Sequence, residues 1–394
     1  MAPNQSSEKT GAFASLSLTV TDFRNHAGCR IEVSGGQSVV LTGPNGAGKT
    51  NLLEALSFLS PGRGLRRANL AQIGRISAPE GSRWSVAARV RSPDALHHIG
   101  TGLDPSAPEG TFRRTVRVDG ETLPSQANLG TLLAVTWLTP QMDRLFIEGS
   151  SQRRRFFDRL VNGFVPGHAA RLSAYDNALR QRSKLLRDGP EDPVWLGQLE
   201  AAMVESGVAV AAARRQTADR LSAAETGDFG RVAAFPKAAM ALSGALEEAL
   251  VNQPALAVED WFRGRLSASR REDAAAGRAT TGPHRTDLLV HNVDKDVPAD
   301  QCSTGEQKAL LIALVLAQAR LMTRDRGSPP ILLLDEVAAH LDSGRRAALY
   351  SAISDLGAQA WMTGTEAALF EPARSMAQFL TVMDGVVTDD PGIS

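Results

Sequence analysis

Residues 38–50 read SVVLTGPNGAGKT, and this stretch decides what kind of fold the chain can have. SVVLT is a short, mostly apolar run that stops at a glycine, which is the pattern of a buried strand. The residues after the loop, NLLEALSFL, repeat their apolar positions at helical spacing. Between them Gly43, Pro44, Asn45, Gly46, Ala47, Gly48, Lys49 and Thr50 follow the order glycine, four residues, Gly-Lys-Ser/Thr, the signature of a phosphate-cradling loop. Glycines let backbone N–H groups close around phosphate oxygens, and the helix that follows points its positive end at them. Lys49 can reach the β and γ oxygens, Thr50 can ligate magnesium, and Asn51 completes the set expected to bind ATP. A glycine-rich turn without a ligand is the competing reading, and the strand–loop–helix context weighs against it.

A second apolar run supplies the other half of such a site. In ILLLDEVAAHLD, residues 331–342, four apolar residues end in an acid, as in a strand that delivers a carboxylate to the carboxyl edge of a sheet. Asp335 would hold magnesium directly or through water, and Glu336 would orient and polarise an attacking water. Alone, an apolar run followed by Asp-Glu is a weak signal. Paired with the phosphate loop it makes Lys49 and Glu336 the expected catalytic residues, and because Lys49 and Asp335 lie 286 residues apart, the nucleotide fold is split.

The texture of the chain fits a split fold. SLSLTVTD and RIEV alternate apolar and polar residues, RWSVAARVR and TFRRTVRVDGE read as further strands, and the latter ends in an Asp119-Gly120 turn. From 151 to 278 helical segments dominate, broken by Gly and Pro as at Asp188-Gly189-Pro190, with no sustained heptad. Strand patterns return near Thr281. The expected class is α/β: a head built from 1–150, with an antiparallel β subdomain, and from 279–394, with a compact helical lobe at 151–278 inserted between.

Composition narrows the function. With 43% hydrophobic and 22% charged residues the chain is an ordinary globular protein. Its longest apolar run, ALLIALVLA from Ala309, falls well short of the roughly 20 residues that span a bilayer, so no membrane association is expected. MAPNQSSEKTGAF has neither the basic start nor the apolar core of a secretory signal, and Cys29 and Cys302 make no disulfide framework or metal cluster. A cytoplasmic location follows as the expectation. The 43 basic residues balance 43 acidic ones, so any polyanion must be bound by a local patch rather than a global field.

Between the two halves of the site lies CSTGEQKAL, residues 302–310, at the start of a strongly apolar helical pattern. A Ser or Thr hydroxyl there can cap a helix, and a carboxylate in the first turn suits its dipole. The same N-terminus, presenting Ser303, Gly305 and free N–H groups, is also an anion site.

Ser303, Thr304, Gly305, Glu306 and Gln307 before a long helix resemble the signature segment of the ABC-type ATPases, about 30 residues ahead of the Asp-Glu strand, with His340-Leu341-Asp342 in the place of the D-loop. Within that class the chain is similar to the RecF family of recombination mediators, related to the SMC heads. Matching segments span nearly the whole sequence: LTVTDFRN, GPNGAGKTNLLEAL, GRGLRRANL, LTPQMDRLFIEGSSQRRRFFD, TGPHRTDL, STGEQKALL and LLLDEVAAHLD. The conjunction of LTPQ…RRRFFD with TGPHRTDL is more specific than the phosphate-loop elements. The resemblance implies an ABC-type head with ATP and Mg2+ as cofactors and an ATP-dependent homodimer, in which Ser303 and Gly305 contact the γ-phosphate held by the partner subunit. Asp342 would lie at the dimer seam, Arg24 and Asn25 near the nucleotide, and Gln141 at the Q-loop contact to magnesium or water, where family members often carry Glu. The chain departs from transporter ATPases after AQAWMTGT, where Thr363 and Thr365 stand in place of a switch His. The implied function is ATP-driven binding of duplex or gapped DNA or single-strand/double-strand junctions to help load recombinase, with RecR and RecO as partners. The alternatives are the ATPase subunit of a transporter or nuclease, or a DNA scaffold that holds ATP without turning it over.

Arg63, Arg66 and Arg67, and Arg153, Arg154 and Arg155, are the basic clusters that could meet DNA phosphates. The competing reading is that each is solvated or braces the core, since adjacent helical arginines point in different directions. With two Tyr in the chain, backbone contact is favoured over base stacking. His284, Arg285 and Asp287 read as structural, because no nucleophile accompanies them. His97 and His98 lack partners at metal spacing, and Cys302 reads as a small buried apolar residue.

Overall fold

Alternation of buried and exposed residues builds the first sheet. The computed structural model describes residues 12–108, 110–189, 192–226 and 232–390; residues 1–11 of the stretch read for a secretory signal and Pro190 lie outside them. In chain order the first strands are β1 (Ala14–Phe23), β2 (His26–Glu32), β3 (Ser38–Thr42), β4 (Ser85–Arg91), β5 (Leu96–Leu103), β6 (Arg114–Val118), β7 (Glu121–Thr122) and β8 (Val135–Leu138). Six form an antiparallel sheet in the order β2-β1-β4-β5-β6-β7. Leu18, Val20, Ile31, Val86, Ala88 and Ile99 are buried on one face, while the intervening polar residues occupy the other, as the two-residue period of a strand requires.

The chain divides into two compact units, one comprising Met1–Met142, Val232–Phe235 and Val315–Ser394, the other Asp143–Arg231 and Pro236–Leu314. These boundaries differ from the expected lobe of 151–278. The second unit holds the helices Ser150–Phe164, His168–Asp188 and Pro193–Thr226, and also the strands β9 (Ala238–Ser243), β10 (Asp287–Asn292) and β11 (Val297–Pro298). They form an antiparallel sheet in the order β11-β10-β9, with Met240 opposite Val290. The lobe is therefore not wholly helical. KAAMALS gives no local strand signal because its alanines favour helix, and pairing with a strand far along the chain overrides that preference.

The first unit also contains a mixed sheet completed by β12 (Ile331–Leu334), β13 (Ala360–Gly364), β14 (Ala377–Met383) and β15 (Val386–Asp389), in the order β15-β14-β3-β13-β12-β8. Strands β14, β3, β13, β12 and β8 are parallel, so their carboxyl ends share one edge, and β15 folds back on β14. Because parallel strands are covered on both faces, β3, β12 and β13 are buried throughout. The phosphate-loop strand β3 is separated from the Asp-Glu strand β12 by β13. The helix Thr304–Arg326 buries its whole apolar run from Ala309 to Ala317, and buried Gln318 accepts from Thr136 Oγ1 at 2.8 Å.

Ionic networks brace the second unit. Arg182, fully buried, donates to Glu200 at 2.9 Å, to Asp273 at 2.7 Å and to the Leu266 carbonyl at 2.7 Å. Arg214 forks onto Asp158 at 2.7 and 2.9 Å and donates to the Pro283 carbonyl. Tyr175 donates to His284 Nδ1 at 2.7 Å while the other ring nitrogen of His284 meets the Ala279 carbonyl, and burial pushes the His284 pKa down. Taking away one partner of a buried network leaves the others unpaired, which costs about 3–5 kcal/mol. Arg182→Leu is therefore expected to lower unfolding free energy by about that amount, measured by urea titration of the full chain.

Candidate functional site

The phosphate loop is pinned from two sides. Gly43 has φ 141°, and a Cβ there would sit 2.2 Å from the Val382 carbonyl oxygen of β14. Gly48 has φ 116°, and a Cβ there would fall 2.7 Å from both Asn25 Oδ1 and His26 Nε2. Only glycine accommodates such a combination of positive φ and close approach. Asn25 Nδ2 donates to the Ala47 carbonyl at 2.9 Å, and Asn25 Oδ1 accepts from Asn51 Nδ2 at 2.7 Å. The Gly385 N–H, in the β14–β15 turn, donates to Ala47 O at 2.9 Å. Fully buried His26 places its ring nitrogens 2.7 Å from the Gly385 carbonyl and 3.1 Å from that of Gly48. Sequence reading missed His26, whose only signal is adjacency to Asn25.

Lys49, nearly buried, donates to the carbonyls of Gly43 at 2.7 Å and Pro44 at 2.9 Å, and its Nζ lies 3.9 Å from Glu336 Oε1. One turn along the helix Lys49–Ser57, the carboxylate of fully buried Glu54 takes both arms of Arg24 at 2.6 and 2.8 Å and is met by Arg66 at 3.2 Å. Arg24 also donates to Gln72 O, and Arg66 to Asn51 Oδ1. Of the residues expected near ATP, Arg24 is held by Glu54, and Asn25 and Asn51 are held by each other, with Asn25 also on the Ala47 carbonyl.

The two chain halves meet at a hydroxyl–carboxylate junction. Thr50 Oγ1 donates to Asp335 Oδ1 at 2.7 Å, and Thr363 Oγ1 donates to the same oxygen at 2.8 Å. Thr363, fully buried on β13, accepts in turn from the Glu336 N–H at 2.9 Å. Glu336 has φ 49°, a conformation costly for a non-glycine residue, and that hydrogen bond holds it. Thr50 and Asp335 offer hard oxygen ligands, and Mg2+ is commonly held by one or two protein groups plus phosphate oxygens, so this pair could hold it. Gln141 is exposed just beyond β8, the strand beside β12, on the same sheet edge.

Residues 16–388 match the RecF/RecN/SMC N terminal domain. The chain belongs to this family. It is 50% identical to the DNA replication and repair protein RecF of Mesorhizobium japonicum over 94% of this chain and 96% of that protein. It is 49% identical to the RecF of Rhizobium rhizogenes over 94% and 97%. Its fold is similar to a solved structure of the recombination mediator protein RecF with ATP in the RecFOR pathway, with TM-score 0.81 and 21% identity over 98% of this chain and 100% of that one.

In the second unit, the signature segment is capped by its own side chains. Ser303 donates through its N–H at 3.0 Å and its hydroxyl at 2.9 Å to Glu306, and Lys295 also reaches that carboxylate. These donors, Lys295 first, pull the Glu306 pKa down to about 2. Any stability this carboxylate adds is fully present above the ordinary carboxylate range and is lost progressively as pH falls from there through about 2. Gln307 Nε2 holds Cys302 O at 2.8 Å, and Gly305 has open space where a Cβ would stand. Asp342 caps the helix Ser343–Leu356 by accepting from Arg345 N at 2.8 Å.

Of the six arginines in the two basic clusters, Arg153 and Arg154 are engaged within the fold. Arg153 forks onto Asp287 at 2.7 Å on both arms, and Arg154 donates to Thr286 O at 2.7 Å and to Ser150. Their guanidinium groups tie the helix Ser150–Phe164 to the TGPHRTDL segment. Arg66 is anchored to the phosphate-loop helix, while Arg63 and Arg67 are exposed.

Removing the Thr363 hydroxyl leaves the Glu336 N–H without its acceptor and takes one of the two hydroxyl donors from Asp335 Oδ1, while changing little volume. Thr363→Val is expected to lower the turnover rate about tenfold or more, from about 1–3 kcal/mol of lost positioning, with ATP affinity nearly kept. Thr363→Ser should restore turnover; steady-state ATPase kinetics and nucleotide-binding titrations measure both.

Proposed function

We propose that this chain is an ATP-hydrolysing, DNA-binding recombination mediator that works as an ATP-dependent dimer. The observation that carries the reading is the Thr50–Asp335–Thr363 junction, which brings a phosphate loop and an Asp-Glu strand 285 residues apart into hydrogen-bond contact in a chain about half identical to RecF proteins. Gly43 to Thr50 wrap the ATP phosphates, Lys49 stabilises charge on the β and γ oxygens, and Thr50 and Asp335 hold Mg2+, which neutralises phosphate charge when bound. Gln141 stands beside the metal or water. Glu336, 3.9 Å from Lys49, accepts a proton from water as its oxygen attacks the γ phosphorus. The γ-phosphoryl–oxygen bond to ADP breaks, giving ADP and phosphate.

The second chemical half comes from another copy. Ser303 to Gln307 present a helix N-terminus to the γ-phosphate held by the partner, with Asp342 at the seam, so the site is complete only in the dimer. Glu306 already satisfies the Ser303 donors, as a phosphate oxygen would. The dimer binds duplex or gapped DNA or single-strand/double-strand junctions, loads recombinase in repair and replication restart with RecR and RecO, and acts in the cytoplasm.

ATPase rate and oligomeric state measured without DNA and with single-stranded, duplex and gapped DNA test this reading. DNA-stimulated turnover and an ATP-linked dimer are expected, and the absence of both would overturn it. Ser303→Arg should leave ATP binding by monomers intact and block dimerisation, whereas Glu336→Gln should accumulate an ATP-bound dimer, as read by light scattering. Normal dimerisation and hydrolysis by Ser303→Arg would refute the role in trans.

A further inference from the structure

The polar face of the six-stranded antiparallel sheet has chemistry that the nucleotide site does not use. Two rows of residues cross it in register. One runs Arg30–Thr19–Ala87–Gly100–Arg117 over β2, β1, β4, β5 and β6, and the other runs Glu32–Ser17–Arg89–His98 over the first four. Small residues form the floor of a trough of about 400 Å3, and the three arginines stand around it. Four steps of about 4.8 Å separate Arg30 from Arg117, roughly 19 Å, and Arg89 lies about 7 Å along the strands in the next row. Arg30 is exposed and Arg89 half-buried; they share Glu32 at 2.6 Å each, and their hydrogen bonds, Arg30 first, hold that carboxyl below its usual range. Arg117 is exposed, and among the described residues nothing pairs with it.

From this arrangement we propose that the face of β2, β1, β4, β5 and β6 is a docking surface for the phosphodiester backbone of duplex DNA, gripped by Arg30, Arg89 and Arg117. The inference rests on the DNA-binding reading above and assigns it a place. Three cations against one carboxylate leave the face positive, and an exposed ion pair such as Glu32 with its arginines contributes little, so phosphate can compete for those guanidinium groups. A floor of Ser17, Thr19, Ala87 and Gly100 lets a wide polyanion approach the sheet. The same floor argues against a protein partner, because protein interfaces centre on apolar and aromatic residues, and it offers no ring for base stacking. Strand β2 carries this surface to the nucleotide site: His26, touching Gly48, begins the strand on which Arg30 stands, four residues or about 13 Å along.

Fluorescence anisotropy of labelled duplex DNA with the full chain, ATP and Mg2+, over a range of salt, tests the proposal with Arg117→Ala, Arg89→Ala and the double substitution. The expected result is a several-fold loss of affinity for each single variant, a larger loss for the double, and a log–log salt slope shallower by about 1 per contact removed. ATP turnover without DNA should be unchanged, which shows that the variants fold. Arg117→Lys should retain most of the binding. Failure of the unsubstituted chain to bind DNA would refute the functional reading itself. Unchanged affinity and slope in the double variant, beside an unsubstituted chain that binds, would overturn only the placement. Tight binding of a labelled oligo-glutamate peptide, lost in the same variants while DNA binding persists, would assign the face to an acidic protein instead.

Discussion

One carboxylate oxygen joins the two distant parts of the chain. Asp335 Oδ1 accepts hydroxyl protons from Thr50, at the start of the phosphate-loop helix, and from Thr363, on the strand between β3 and β12. In a buried setting an acid must be paired or hydrogen-bonded, so the split head has one low-energy closure at this point. Thr363 then passes the constraint on, because its oxygen also holds the backbone of Glu336 in a conformation it would otherwise leave. Asp335 and Glu336 are both set by a single hydroxyl.

Around this junction the loop is fixed by contacts that no local pattern encodes. Gly43 lies against the Val382 carbonyl, Gly48 against Asn25 and His26, and Ala47 O receives both Asn25 and Gly385. The turn after β1 and the turn between β14 and β15 thus hold the loop from opposite chain ends. Glu54 anchors Arg24 and Arg66 behind the same helix, which links the end of β1 to the phosphate-loop helix through ion pairs.

Much of this was legible in the sequence because it is written in short, local patterns. Strand–loop–helix at Ser38–Ser57, the Asp335-Glu336 strand end and the capped helix at Ser303 follow from periodicity, glycine and capping chemistry read over a dozen residues each. The favoured structural role of His284 and Asp287 agrees with their bonds to Tyr175 and Arg153. The ranking of arginines was less legible. Arg153 and Arg154 look on paper like Arg63 and Arg67, and the difference lies in Asp287 and Thr286, more than 130 residues away.

The sequence by itself determined the phosphate loop, the acidic strand end, the signature helix and the α/β character, since each rests on spacing within one element. Tertiary structure alone decided that Thr363 bridges Asp335 and Glu336, that His26 meets the loop, that β9 is a strand in a lobe expected to be helical, and that Arg30, Arg89 and Arg117 share a face. Those facts depend on register between strands far apart in the chain, and register is set by which surfaces bury together rather than by any residue's own preference.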